Sequence, residues 1–338
     1  MVGGAAAGVE PGRAGRPGPR VGIVPPGLGR GARALRAALE AVAAAGIDRV
    51  VMGDHVSFRG GFGVDGLVSV AAMAAAHPSL EVATGVYLLP LRHPVAVARQ
   101  VATIADLAPG RLVLGVGVGG EDPAELAACG VDPATRGRRM DEALTILRRL
   151  LAGEVVSLSG RFFTLEGVRV LPAPEPPVPI LVGGRSDAAV VRAGRLGDGW
   201  LAIWVSPERF AAAVERAGEA AADAGRAGYP AEHALQVWCG FGDDADAGRA
   251  ALAPAMEALY GLPFERFERW CPTGPPEAVA ARLAEYLEVG CRAVHLIPRA
   301  AEGTDPVAAA GEVARLLRRV HSADPSTVKE ACGAHTGV

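Results

Sequence analysis

Where the apolar run Arg49-Val50-Val51-Met52 stops at Gly53, an aspartate and a histidine stand side by side, Asp54 and His55. They open a stretch carrying five glycines from Gly53 to Gly66, both ends counted. A histidine there can take or give a proton near neutral pH, and an adjacent carboxylate can orient it or hold a polar ligand. The same pair could equally cap a turn and satisfy a loop carbonyl.

Three later stretches raise similar questions. Thr84-Gly85-Val86 runs on to Pro90, Arg92, His93 and Pro94. A glycine inside an apolar strand marks a bulge, a close backbone approach to a ligand, or tight packing. Gly115, Gly117, Gly119 and Gly120 lead into Glu121, Asp122 and Glu125. Gly119 and Gly120 could cradle a phosphate or present a smooth surface to a flat ring. Glu121 could donate a proton, or only favour the start of the next helix. Gly183-Gly184-Arg185-Ser186 has the most specific content. Backbone N–H groups, a helix N-terminus and a guanidinium together make an anion pocket, and Ser186 would also serve as an N-cap.

The elements that must position these residues follow from the apolar pattern. Short Val- and Ile-rich runs begin near Val21, Val50, Glu81, Arg111, Pro179, Gly199, Ala234 and Ala293, each bounded by turn residues or by longer Ala-, Leu-, Arg- and Glu-rich segments. Apolar runs of this kind read as strands buried on both faces, and the segments between them as helices. The alternation predicts an α/β fold, a (β/α)8 TIM barrel, with an open doubly wound sheet as the other arrangement it permits. In a barrel, residues at strand C-terminal ends converge at the mouth, which is where Asp54-His55, Gly85-Val86, Gly119-Gly120-Glu121 and Gly183–Ser186 would lie. Two alternating runs around Ser159-Gly160 predict a small hairpin insertion before the fifth strand. Arg136 and Arg139 at helical spacing with Glu142 predict a solvated ion-pair face. His295, inside the last strand, reads as a satisfied barrel histidine. The expected organisation is a tail over 1–20, one barrel over 21–320 and a frayed tail over 321–338.

Composition narrows the classes. With 338 residues, half of them hydrophobic, and a net charge of −3, the chain can bury a large core and has no field drawing it to nucleic acid or a membrane surface. No run approaches the roughly 18 apolar residues of a membrane span. Cys129, Cys239, Cys271, Cys291 and Cys332 are scattered, which predicts a reducing, cytoplasmic setting and no metal site. The only lysine, Lys329, lies near the C-terminus, so no Schiff-base lysine is available to a barrel mouth.

Taken in order, "GDH", "TGVYLLPLRHPVAVARQVATIADLAPGRLVLGVGVGG", "GVDPATRGRRMDEAL", "PPVPILVGGRS" and "GDGW" resemble the bacterial luciferase-like superfamily of flavin- and deazaflavin-dependent oxidoreductases. Within it the chain is most similar to the group using coenzyme F420. The resemblance implies a barrel with a flat ring in its mouth and hydride transfer between F420 and a small-molecule substrate. The alternative within the same family is an FMN-dependent monooxygenase using reduced flavin and oxygen. It implies that His55 is the catalytic acid or base, with Glu121 a second candidate, and that Asp54 binds the ring or polar substrate groups. Thr84, Gly85 and Val86 would back the ring, Gly85-Val86 matching a non-prolyl cis peptide of the family. Gly119 and Gly120 would flank the coenzyme, and Gly183, Gly184, Arg185 and Ser186 would hold its phosphate. A homodimer is the common family assembly. Ser57-Phe58-Arg59 and Pro123-Ala124 depart from the sugar-phosphate dehydrogenase branch, which carries a Trp and an Asn near these places, and this argues against a sugar-phosphate substrate.

Overall fold

In the computed structural model, which describes residues 18–27, 31–226, 229 and 232–322, the Val- and Ile-rich runs lie side by side and parallel. They are β1 (Arg20–Ile23), β2 (Arg49–Met52), β3 (Glu81–Thr84), β4 (Leu112–Gly117), β5 (Ile180–Gly183), β6 (Gly199–Ile203), β7 (Ala234–Phe241) and β8 (Ala293–Ala300). Each pairs with the next in chain order, and β8 returns to β1 through Val294 opposite Val21, so the sheet closes on itself without a free edge. The fold is the TIM barrel, and the open sheet is excluded.

Helices α1 (Ala32–Ala44), α2 (Gly66–Ala76) and α3 (Pro94–Leu107) follow the first three strands. A short α4 (Pro123–Ala128) and the long α5 (Arg136–Leu151) follow β4. The ring continues with α6 (Asp187–Leu196), α7 (Pro207–Asp223), α8 (Ala245–Tyr260), α9 (Pro276–Glu288) and α10 (Pro306–Ser322). Their apolar faces and the outward faces of the strands form the main core, in which Leu144, Leu147, Val190 and Leu283 are fully buried. Truncating one such leucine to alanine costs about 2–5 kcal/mol. Inside the barrel, Val51, Ala83, Val113, Leu181 and Leu201 form a separate layer. The rigid frame below the mouth comes from these two layers.

The N-terminal end of the barrel is closed by charge. Buried Arg49 meets Glu81 at 2.8 Å and Glu232 at 3.0 Å, and its Nη1 lies 3.2 Å from His295 Nε2. A guanidinium only donates, so Nε2 accepts and the ring proton sits on Nδ1. Burial, then the Arg49 charge, hold His295 well below the usual histidine pKa. It is a neutral structural group.

Three details differ from the sequence expectation. The third strand ends at Thr84, and the chain re-pairs with β4 only at Tyr87 and Leu88 after the bend at Gly85-Val86. A hairpin of His55–Phe58 with Phe62–Val64 follows β2, and α4 follows β4; both lie at the mouth. The first strand starts at Arg20 and the last helix runs to Ser322, so the barrel extends slightly beyond both expected limits. The remainder of the expected tails, 1–17 and 323–338, and with it Cys332 and Lys329, lies outside the described residues. A second hairpin, Val156–Ser159 with Thr164–Val168, stands between α5 and β5.

Candidate active site

The loop after β2 places His55 as the first residue of the mouth hairpin, opposite Val64. Its ring stacks on Phe58 with centroids 4.3 Å apart. The other face of the arrangement comes from α4. Asp122 caps that helix through the Ala124 N–H and also accepts the Arg59 N–H at 2.8 Å, fastening the helix to the hairpin turn. Glu125, buried on α4, accepts the Val56 N–H at 2.6 Å and the Ser57 N–H at 3.1 Å through one oxygen, and meets His55 Nδ1 at 3.1 Å with the other. A carboxylate accepts, so Nδ1 carries a proton and Nε2 remains for the cavity that His55 lines. The sequence marked His55 as a possible acid or base without finding Glu125, its orienting partner seventy positions away.

Asp54 borders the mouth cavity, but its carboxylate turns to partners within the protein. Its side chain is sealed from solvent. Oδ1 accepts the Gly66 N–H at 2.9 Å and Arg92 Nη2 at 2.8 Å, while Oδ2 accepts the Leu88 N–H at 2.9 Å and Arg92 Nη1. With four protein donors on two oxygens, no lone pair is left for a ring or substrate. Asp54 ties the hairpin, the start of α2 and the segment after β3 together under the mouth. Burial lowers and the Asp54 charge raises the Arg92 pKa, with a net rise, so this guanidinium is a fixed cation.

The cavity at the mouth, about 230 Å³, is bordered by Gly53, His55, Gly85, Val86, the Gly117–Asp122 turn and Gly183-Gly184. Gly85-Val86 is a cis peptide. Thr84 Oγ1 donates to the Gly115 carbonyl at 2.7 Å and so braces β3 against β4 below the bend, away from the cavity lining. The Val86 side chain fills the space that neighbouring glycines leave free. A Cβ on Gly117 would lie 2.4 Å from Val86 Cγ2, and one on Gly183 2.6 Å from Val86 Cγ1. Val86 thus forms an apolar floor between two bare backbones. Gln236 on β7 donates Nε2 to the Gly85 carbonyl at 3.2 Å, and its buried Oε1 has no protein partner among the described residues. Gln236 lines the cavity and was not anticipated, although a glutamine inside an apolar strand was a visible signal.

Beyond β5 the four expected anion-site residues separate into two roles. Gly183 and Gly184 border the cavity; Arg185 and Ser186 lie outside its lining. Ser186 caps α6 by accepting the Ala189 N–H at 3.3 Å. The Gly184 carbonyl accepts Trp200 Nε1 at 2.7 Å, and the Arg185 guanidinium stands 5.2 Å over the Trp204 ring. Across the mouth, Arg136 tucks behind Gly120, 2.9 Å from where a Cβ there would stand, and its buried Nε has no partner among the described residues. The expected surface pairing of Arg136 and Arg139 with Glu142 is absent. Arg139 Nε donates to the Pro90 carbonyl at 2.8 Å and its guanidinium packs 4.6 Å over Phe163, while Glu142 accepts the Arg161, Phe162 and Phe163 N–H groups. These bonds hold the second hairpin on α5, so it lines neither mouth cavity.

Glu121 stands at the rim, open to solvent on one side. Loss of water on the other raises its carboxyl pKa, against the pull of His55, Arg185 and Arg59 and with a small push from Glu125. Tyr260, which borders the same cavity, accepts Trp238 Nε1 at 3.1 Å, and burial raises its pKa so that it stays a neutral phenol. A second, more apolar cavity of about 560 Å³ adjoins the first and shares Gly53, His55, Gly85, Gln236 and Tyr260 with it. A third hollow, about 310 Å³ around Arg20, Arg49 and Arg292, lies at the opposite end. Barrel chemistry sits at the C-terminal ends of the strands, which selects the joined mouth cavities. Among the described residues no three His, Cys, Asp or Glu side chains converge as metal ligands, and no helix is long and apolar enough to cross a membrane.

Fold and mouth together define a TIM barrel with a glycine-walled slot at the C-terminal ends of its strands, and comparison with known proteins gives the family. A sequence model described as luciferase-like monooxygenase matches residues 18–267, and the chain belongs to that family. An F420-dependent glucose-6-phosphate dehydrogenase of Beutenbergia cavernae is 31% identical over 288 residues, covering 76% of this chain and 84% of that protein. An uncharacterized protein of Mycobacterium tuberculosis is 36% identical over 163 residues, and the match spans 48% of this chain and only 56% of that relative. Among solved structures, an F420-dependent secondary alcohol dehydrogenase bound to an F420-acetone adduct superposes with a TM-score of 0.76 at 20% identity, covering 89% of this chain and 99% of that one. A riboflavin lyase with modified FMN gives 0.71 at 17% identity, covering 91% and 93%. At such identities the structural likeness speaks to the fold alone.

Proposed function

We propose that this chain transfers hydride between coenzyme F420 and a small organic substrate. The observation that carries the reading is the slot itself: an apolar Val86 floor between the bare backbones of Gly117 and Gly183, with an oriented histidine at its edge. A cavity of about 230 Å³ is below the roughly 300–1,000 Å³ of a pocket for a whole drug-sized ligand, so it suits a flat ring whose tail leaves along the rim. Gly183-Gly184, Arg185 and the N-terminus of α6 offer donors for a phosphate on that tail, with Arg136 on the far side. The unpartnered Gln236 Oε1 offers an acceptor to a ring N–H. Further support comes from the relatives named as F420-dependent.

When bound, the deazaflavin supplies the hydride chemistry. The residues of the chain do the rest. Val86 and the glycine backbones orient the ring, and Leu201 and Ile203 wall it off from water. His55 holds or delivers a proton at Nε2, and Glu125 steadies the imidazolium whenever the ring carries both protons. Glu121, with its raised pKa, is a second proton source at the rim.

Equilibrium titration of the purified chain with oxidised and reduced F420, and in parallel with FMN, tests the reading. Tight F420 binding with weak FMN binding is expected. A preference for reduced FMN would move the chain to the flavin monooxygenase reading, which the family's name also allows.

A further inference from the structure

The second mouth cavity carries an inference about what meets the ring. Strand geometry decides which residues face it. Along a strand, alternate side chains share a face, and β7 and β8 run in register with Trp238 opposite Ile297 and Gly240 opposite Arg299. Gln236 and Trp238 on β7, and Ile297 and Arg299 on β8, therefore point into the barrel mouth, and all four border the 560 Å³ cavity. Phe62 and Val64 of the mouth hairpin face them, with Phe62 64% exposed, a large apolar ring left to the cavity and solvent.

Within this apolar surround Arg299 is the odd group. Among the described residues its one hydrogen bond is from Nη1 to the carbonyl of the preceding Pro298, at 2.8 Å, and no carboxylate pairs with it. The guanidinium stands 5.1 Å over the Trp238 ring. Three other partly or fully buried arginines are compensated, whereas Arg136, like Arg299, has one backbone carbonyl and no carboxylate among the described residues. Arg49 and Arg92 each meet carboxylates, and Arg111 donates to three backbone carbonyls. At Arg299, burial pulls the pKa below the ordinary value, with only Cys239 opposing it. A half-dehydrated cation with no counter-charge at the mouth is a poor structural element and a ready-made subsite for an anion.

We propose that this cavity takes an apolar molecule bearing a carboxylate, with its body against Phe62, Trp238 and Ile297 and its carboxylate on Arg299. The proposal rests on the reading that the adjoining slot holds the coenzyme ring, since the shared border at His55, Gly85, Gln236 and Tyr260 would place such a molecule beside it. A guanidinium binds a carboxylate through two parallel hydrogen bonds, which fixes the ligand's orientation as well as its affinity. The Trp238 and Phe62 rings select for the apolar body, and the two requirements together reject both sugars and uncharged lipids.

The test is calorimetric titration of the full chain, alone and loaded with F420, with octanoate and 3-phenylpropanoate and with their neutral amides. Each acid is expected to bind about tenfold to a hundredfold more tightly than its amide. In Arg299→Gln that preference should vanish while the affinity for the amides and for F420 holds. Equal binding of acids and amides by the unaltered chain, no saturable binding of any of the four, or a preference that survives in Arg299→Gln each overturns the proposal. The acid-against-amide comparison needs no variant, so a poorly folded Arg299→Gln leaves the test intact. F420 titration in the same samples separates the two readings. Acid preference without F420 binding sinks the coenzyme assignment and keeps this subsite; F420 binding without acid preference does the reverse.

Discussion

Replacing Glu125 with glutamine should reverse the proton on His55. In the native chain one carboxylate oxygen is pinned by the Val56 and Ser57 N–H groups at 2.6 and 3.1 Å, and the other faces His55 Nδ1 at 3.1 Å. A hydrogen bond to a charged acceptor is worth about 1.5–3 kcal/mol net, which favours the Nδ1–H form roughly tenfold to 150-fold over the alternative. In Glu125→Gln the two backbone donors can be met only by the amide oxygen. The amide NH2 is then turned towards Nδ1, which must accept, and the proton moves to Nε2. The nitrogen left for the cavity changes from acceptor to donor.

The assay is long-range proton–nitrogen NMR of the isotopically labelled chain, in which the two ring nitrogens of a neutral histidine are told apart by chemical shift. Native protein should show Nδ1–H at His55, and Glu125→Gln should show Nε2–H. Turnover, once a substrate is in hand, should fall about 10²–10⁴-fold, the usual worth of a positioned acid or base, while coenzyme affinity stays within a few fold. An Nε2–H ring in the native chain, or the same tautomer in both proteins, would refute the reasoning whatever the turnover. Glu125→Ala differs in kind. It leaves three donors without their acceptor, two of them near water, and should cost about 2–4 kcal/mol of stability.

Gly183→Ala should place a methyl 2.6 Å from Val86 Cγ1 and cost about 1–3 kcal/mol, with coenzyme affinity falling more than stability because the floor is displaced; an unchanged dissociation constant would count against the slot. Asp54→Asn should leave the Arg92 cation with only Asp65, 3.5 Å away, as counter-charge. Breaking a buried pair costs about 3–5 kcal/mol, here reduced by that second carboxylate to roughly 2–4, so the melting temperature should drop by about 5 °C or more; a melt within 1 °C or so of native would contradict the anchoring role. His233 sits buried and accepts the Trp200 N–H at 3.2 Å through Nδ1, and burial, then Arg292, lower its pKa to about 4. The unfolded chain titrates at about 6.5, so this stability is whole above pH 6.5 and is lost as pH falls from there through about 4. At about 1.36 kcal/mol per pKa unit the loss is roughly 3 kcal/mol. Urea unfolding at pH 7 and pH 4.5 should show a smaller loss in His233→Gln than in native protein, the remainder including that of His295, whose pKa is also held low; equal losses in both would exclude His233 as a source.

What the sequence made legible, and what it hid, divides by the distance over which a residue's partner lies. The Val- and Ile-rich runs announce strands because burial on both faces is a local property of the run, and the barrel follows from their alternation with helices. Ser186 could be read as a cap because its partner, the Ala189 N–H, is three residues on. Glu125 could not be read as the partner of His55, since α4 is six residues long, too short to show a period, and the two meet only through the closure of the barrel. The partners of Asp54 were hidden for the same reason. Its neighbours in sequence suggested an open loop, and the donor that claims it, Arg92, arrives across 38 residues. Arg139 and Glu142 carry the spacing of a solvated ion pair, yet each turns to the backbone of a separate segment, the Pro90 carbonyl and the tip of the second hairpin. Gln236 and Arg299 were the exceptions that could have been caught. Each is polar in a mostly apolar strand and shares a face with residues two positions away, so a period of two already aims it at the barrel mouth. Inward polar residues on barrel strands are costly unless something meets them. Where the protein itself does not, a ligand is the remaining candidate, and that is the argument for reading the two mouth cavities as one site.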